Sequence, residues 1–165
     1  MESPTEPGLT GRARVEADAA ARGLAIEIRE RMRADSLEQA AEILGISPAD
    51  IVKTLVVKRA DGTYLFALVP GDRQIGWPKL RAVVGVNKLQ LPDASQALAA
   101  TGYERGTITP LGSAAPLPVI ADSSITGTVS VGGGAHGVSI TVAADALVAA
   151  LGATVADVTE ASPAS

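Results

Sequence analysis

The chain has 165 residues, a net charge of −4, 47% hydrophobic but only 2% aromatic residues, and no cysteine. That length suits one domain with a single core, here built from Ala, Val, Leu and Ile. Disulfides, thiolate metal sites and a cysteine nucleophile are excluded, the lone His136 argues against a multi-histidine metal centre, and no apolar run approaches the roughly 20 residues of a membrane span.

The N-terminus lacks the basic-then-apolar pattern of a signal peptide, so a cytoplasmic location is expected. All 14 Lys and Arg fall within residues 1–105, together with 14 of the 18 acids. Residues 106–165 hold no Lys or Arg. A general nucleic-acid coat needs a strongly basic face and is excluded, whereas a local contact with a nucleic-acid end through the basic half is not.

Residues 1–10 are polar, with Pro and Gly, and read as a disordered tail. A helix is predicted over 12–22, stopped by Gly23, and then a first strand over 24–28. Arg29, Arg31 and Arg33 read as a solvated stretch in preference to a phosphate contact. Ser36 caps the next helix, with Gln39 in the capping-box place, Leu37, Ala40, Ala41 and Leu44 as its apolar stripe and Gly45 as its stop. Ser47-Pro48 opens one short turn.

Ile51–Val57 reads as a buried strand with one lysine inside it. Lys53 shares a face with Leu55 and Val57, while Val52, Thr54 and Val56 share the other. A buried ammonium is costly unless it is paired or faces water or a ligand. Taken alone, the stretch favours a strand-end lysine snorkelling to solvent.

Asp61-Gly62 turns into a strand over 64–69, closed by Pro70-Gly71-Asp72-Arg73. Helices are predicted over 77–84 and 93–101, with a short strand at 88–91 between them. Asp93 caps the second helix and Gly102 ends it. The next stretch is an ordered loop by its chemistry. Gly102, Gly106, Pro110 and Gly112 are spaced through it, glycine permitting unusual backbone angles and proline fixing one. Strands follow at 119–122, 128–131 and 138–142, then a helix over 145–151 and a strand over 154–158. Trp77 and Tyr103 stay open between core and pocket wall, and Asp122 between a ligand contact and a turn cap. With no repeats and strands mostly in hairpins, the class is α+β: one domain over 11–160, a mixed and mostly antiparallel sheet, partly barrel-like, with flanking helices and a tail at 161–165.

Gly132, Gly134 and Gly137 match Gly-x-Gly-x-x-Gly, with Asp157 about 20 residues on. A dinucleotide site needs a helix to begin inside the glycine run. Here the run leads into alternating Val138–Val142, so a glycine hairpin is favoured. Such a hairpin still lets a ligand approach backbone N–H groups. His136 reads as a solvated turn residue in preference to a general base. No Ser-His-Asp set is evident, so a covalent acyl-enzyme is not expected.

Three stretches in order, Val52–Val57, Thr101–Gly112 and Val131–Val142, resemble the YbaK/ProX family of aminoacyl-tRNA editing domains, the prolyl-tRNA-editing type. The second carries the family's Gly-x-x-x-Pro signature at Gly106–Pro110, and the third is followed by an Asp-x-Leu helix at Asp145 and Leu147. The similarity covers about residues 24–158. It implies a free-standing, trans-acting deacylase that hydrolyses the ester of a small mischarged amino acid, of the Cys- or Ala-tRNA(Pro) type, without metal or cofactor. The partners implied are the aminoacyl-tRNA 3′ end and an aminoacyl-tRNA synthetase, with no membrane. A non-catalytic module of the same fold that holds an aminoacyl-tRNA end or a nucleotide is the alternative.

The family's essential lysine carries over to Lys53, and its backbone-contact loop to Gly106–Pro110. The catalytic candidates are therefore Lys53 and Gly106. The substrate-binding candidates are Thr54, Gly102, Thr107, Ile108, Thr109, Pro110, Asp122, Gly132, Gly133 and Ser139. Ala135, His136 and Ser139 stand where cysteine-specific members of the family carry basic residues and an acid.

Overall fold

The structure is a computed structural model that describes residues 11–32, 34–114 and 116–162. The expected tail at 1–10, Arg33 and the last three residues lie outside that range. In chain order the elements are α1 (Gly11–Ala21), β1 (Glu27–Glu30), α2 (Leu37–Leu44), a 3-10 turn (Pro48–Asp50), β2 (Val52–Arg59), β3 (Tyr64–Pro70), β4 (Arg73–Ile75), α3 (Trp77–Val84), β5 (Leu89–Gln90), α4 (Ala94–Thr101), β6 (Val119–Asp122), β7 (Thr128–Gly132), β8 (Val138–Ala143), α5 (Ala144–Leu151), β9 (Thr154–Ala156) and β10 (Thr159–Ala161).

A five-stranded sheet runs β5-β2-β3-β6-β9, a three-stranded sheet β1-β8-β7, and β10 pairs with β4. The fold is a mixed α+β single domain, and among the described residues no sheet closes into a barrel. Hairpins do not account for all of it, because β3–β6 and β6–β9 are parallel pairs. Parallel neighbours need a long crossover, and the excursion from Arg73 to Pro118 supplies it for the first. The predicted strand over 154–158 is shorter, ending at Ala156 as β9, and a further strand, β10, follows it. Val158 is fully buried where the chain turns from β9 to β10.

Alternation along β2 and β3 builds two apolar layers. Val52, Val56, Phe66 and Leu68 pack on one side with Val119, Val131 and Ile140. Val57, Leu65, Ala67 and Val69 pack on the other with Leu80 and Val158. Caps fix the helices that border the site. Ser36 accepts from the Gln39 N–H, although the Gln39 side chain reaches back to the Asp35 N–H rather than to that of Ser36. Asp93 and Gln96 form a complete capping box at α4. The stripe of α2 is divided: Ala40 and Ala41 are buried, whereas Leu37 and Leu44 are half-buried and face a cleft. Among the described residues, no helix is long and apolar enough to cross a membrane.

Candidate active site

The free edge of β2 borders the cleft. Arg59 N–H donates to Thr63 O and Gly71 N–H to Ile51 O, at the two ends of the β2–β3 ladder. In this register Lys53, Leu55 and Val57 turn their backbone groups toward β3, and Val52, Thr54 and Val56 turn theirs away. On that outer side β5 covers only Lys58 and Arg59, and an isolated bridge joins Ile51 to Ser130. Between these two points the edge opens into a cleft of about 750 Å³.

One wall is α2 through Leu37, Ala40 and Leu44, and another is the segment Leu91–Ala94 that enters α4. The rest comes from Arg105, Gly106 and Ile108 of the glycine loop and from Ser130–Gly132 and Ala135–Ser139 of the β7–β8 hairpin. Lys53 and Gly106 therefore line the same cleft. Thr54, Ile108, Gly132 and Ser139 line it with them.

Lys53 is half-buried, and its Nζ donates to Arg73 O at 2.5 Å. Burial lowers its pKa below the ordinary lysine value, while the nearby Asp72 and Glu38 carboxylates push it back up. A lysine held this way is partly desolvated but still has acids in reach, so its charge acts more strongly than in bulk water.

Gly106 has φ +89, a conformation that side chains with a Cβ adopt at a cost. Its N–H donates to no group among the described residues, and the His136 ring lies beside its Cα. His136 Nε2 is 3.5 Å from Glu104 Oε1, which ties the hairpin to the loop. The two segments also meet backbone to backbone. A Cβ on Gly132 would lie 2.7 Å from Ile108 O, so only glycine permits that approach.

Ser130, Gly132 and Ser139 share the sheet face opposite Val131 and Ile140. The Ser139 hydroxyl is buried without a hydrogen-bond partner, as are Thr54 Oγ1 and Arg31 Nε. All three residues line the cleft. Buried polar groups are almost always paired; among the described residues the fourth unpaired one, Ser113 Oγ, lies beside a second cavity.

The remaining predicted residues do not line this cleft. Gly102, at φ +81, ends α4. Thr107 and Thr109 are buried within the loop, Thr107 Oγ1 donating to Glu104 O. Pro110 lines a second cavity, beside α1. Gly133 closes the hairpin with its N–H on Val138 O. Asp122 is buried and accepts from the N–H groups of Ser124 and Val158, so it caps the turn that follows β6 and ties it to the β9–β10 junction. Hydrogen bonds hold its carboxyl below the usual carboxylate range against the burial that raises it. Tyr103 is buried and donates to Leu111 O at 2.6 Å, so it supports the loop from behind.

Sequence reasoning missed Ser130, Arg105 and the α2 wall as parts of the site. Ser130 gave a signal, a polar residue between Val129 and Val131 and in step with Gly132. The outward leucines of α2 gave none, because a helical stripe looks the same against a core and against a cleft.

Residues 32–150 match the aminoacyl-tRNA editing domain. Over 90 residues the chain is 40% identical to the proline–tRNA ligase of Thermosipho africanus and 33% identical to that of Trichlorobacter lovleyi. Each match covers 54% of this chain and 16% of the ligase, so the chain spans a small part of the curated relatives it matches. A crystal structure of a hypothetical protein superposes with a TM-score of 0.82 at 30% identity, covering 89% of this chain and 99% of that one. Another, of a candidate trans-editing enzyme for prolyl tRNA synthetase, gives a TM-score of 0.83 at 26% identity, covering 97% of this chain and 99% of that one. The chain belongs to the aminoacyl-tRNA editing domain family.

Proposed function

We propose that this chain is a trans-acting, cytoplasmic aminoacyl-tRNA deacylase that hydrolyses the ester between a small mischarged amino acid, of the Cys or Ala type, and the 3′ end of a proline tRNA. The observation that carries the reading is the shared cleft of Lys53 and Gly106. Ester hydrolysis needs a held carbonyl, an attacking water and a stabilised oxyanion. The Gly106 N–H is free to donate to that oxyanion. The Lys53 ammonium, beside the open β2 edge, fixes the terminal phosphate or the polar groups of the aminoacyl end. Arg31 and Arg105, both lining the cleft, suit the phosphates that flank it. The leucine and alanine wall of α2 leaves room for a small side chain. The extensive match to a candidate trans-editing enzyme for prolyl tRNA synthetase supports action in trans beside a synthetase.

The test is a deacylation panel on proline tRNA charged with cysteine, alanine, serine or proline, run with wild type and Lys53→Ala. Hydrolysis of at least one mischarged species well above the buffer rate, with proline spared and Lys53→Ala inactive, is the expected result. Binding of all four without hydrolysis would make the chain a holding module instead.

A further inference from the structure

Helix α1 lies outside the segment that matches the editing domain, residues 32–150. It nevertheless touches both stems of the Gly106 loop. Arg14 Nε and Nη2 donate to Gly112 O at 3.0 and 2.6 Å. The same guanidinium donates to Thr101 O at 3.0 Å through Nη2 and to Gly102 O at 3.2 Å through Nη1. One planar group thus ties the residues that enter the loop to the residue that leaves it. One turn along α1, Asp18 Oδ2 accepts from the Gly112 N–H at 2.8 Å.

The contacts around this junction are tight. The guanidinium sits 4.5 Å from the centre of the Tyr103 ring, whose hydroxyl holds Leu111 O. A Cβ on Gly102 would lie 2.7 Å from Arg14 Nη2, and one on Gly112 2.8 Å from the Arg14 carbonyl carbon. At its first residue α1 also meets the hairpin, since a Cβ on Gly134 would lie 2.7 Å from Gly11 O. Val15 and Ala19 root the helix in the core, with 0% and 2% exposure. Within the loop itself few bonds restrain Gly106: Thr107 N–H and Oγ1 to Glu104 O, and Leu111 N–H to Thr109 Oγ1. The hairpin touches the loop at Glu104 and Ile108, and α1 fixes its two stems.

We propose that Arg14, with Asp18, is a positioning residue: it clamps Thr101-Gly102 and Gly112, the two stems of the loop over residues 104–112, so that Gly106 is held in place at the cleft. The guanidinium fork fits this task because its donors are fixed in one plane and span several carbonyls at once, which an ammonium cannot do. The catalytic consequence rests on the deacylase reading above, whereas the mechanical consequence stands without it.

The test compares wild type with Arg14→Ala, Arg14→Lys and Asp18→Ala, by amide hydrogen exchange and by single-substrate deacylation kinetics. In Arg14→Ala, amides of residues 104–112 are expected to exchange about tenfold faster while those of β3 stay unchanged. The expected kinetic signature is a fall in kcat of about tenfold or more with KM within about twofold, because misplacement of a positioned group acts on the reacting geometry. Arg14→Lys is expected to keep the thermal stability but not to restore kcat or the slow loop exchange. Unchanged exchange at 104–112 in Arg14→Ala, or full rescue of both readouts by lysine, would overturn the proposal. If Arg14→Ala loosens β3 as well, Asp18→Ala, which removes the acceptor of the Gly112 N–H, decides: selective loosening of the loop supports the clamp and no change refutes it. If wild type hydrolyses no ester, the deacylase reading fails and the exchange data alone judge the clamp.

Discussion

The Lys53 ammonium donates to the backbone carbonyl of Arg73 at 2.5 Å, from the strand beside the open edge of the sheet to the start of β4. This bond, with Asp72 and Glu38 nearby, accounts for a lysine that is half-buried among apolar neighbours.

Lys53→Ala is therefore expected to lower the deacylation rate by about 100-fold, the scale seen when one preorganised donor is removed from a charged transition state. The fold is expected to survive, because the alanine leaves only a carbonyl that water can reach. Circular dichroism and a rate measurement on the same sample check both parts. Full activity in Lys53→Ala would remove the lysine from the site.

Gly106→Ala tests the loop. Its φ of +89 costs an alanine about 1–2 kcal/mol, and the new Cβ would make only an ordinary contact, 3.5 Å from the His136 ring. Chemical denaturation is expected to show that modest loss. The deacylation rate is expected to fall by more than the stability change explains, since relief of the strain turns the Gly106 N–H away from the cleft.

Ser139→Ala separates stability from specificity. The Ser139 hydroxyl is buried and unpaired, so removing it is expected to leave the stability unchanged or raise it by about 1 kcal/mol. The ranking of aminoacyl substrates is expected to change at the same time. A large loss of stability with an unaltered ranking would make the hydroxyl a structural group.

Tyr103 gives a pH prediction. Burial pushes its phenol up to about 12, with Arg14 opposing the shift. The unfolded chain ionises this group near its ordinary value of about 10 and the folded chain does not. Its contribution is thus fully present below about pH 10 and is lost as the pH rises toward 12. Ultraviolet titration is expected to show Tyr103 ionising at about 12. In Tyr103→Phe that late step disappears, and stability falls less across the same alkaline range.

Much of the local structure was legible because it is written in short-range chemistry. Ser36, Asp93, Gly45 and Gly102 mark helix ends through their own side chains or their freedom at positive φ. The alternation in 52–57 assigned each residue to a face, and those two faces border the two core layers. The first strand was displaced, 27–30 instead of 24–28, because its pairing with residues 138–141 decides it and its own weak alternation does not. Arg14 was invisible as anything but a helical arginine, since its partners stand 87 to 98 positions away.

The sequence alone determined the family, the α+β class and the three stretches that carry the resemblance. Residue types, spacing and order suffice for that, because each motif encodes a local backbone need. Only the tertiary structure decided which of the named residues meet. It placed Lys53, Thr54, Gly106, Ile108, Gly132 and Ser139 around one cleft, and set Gly102, Thr107, Thr109, Pro110, Gly133 and Asp122 outside it. The physical reason is that a cleft is bounded by a sheet edge left unpaired and by loops clamped from afar, and pairing and clamping are contacts between residues distant in the chain.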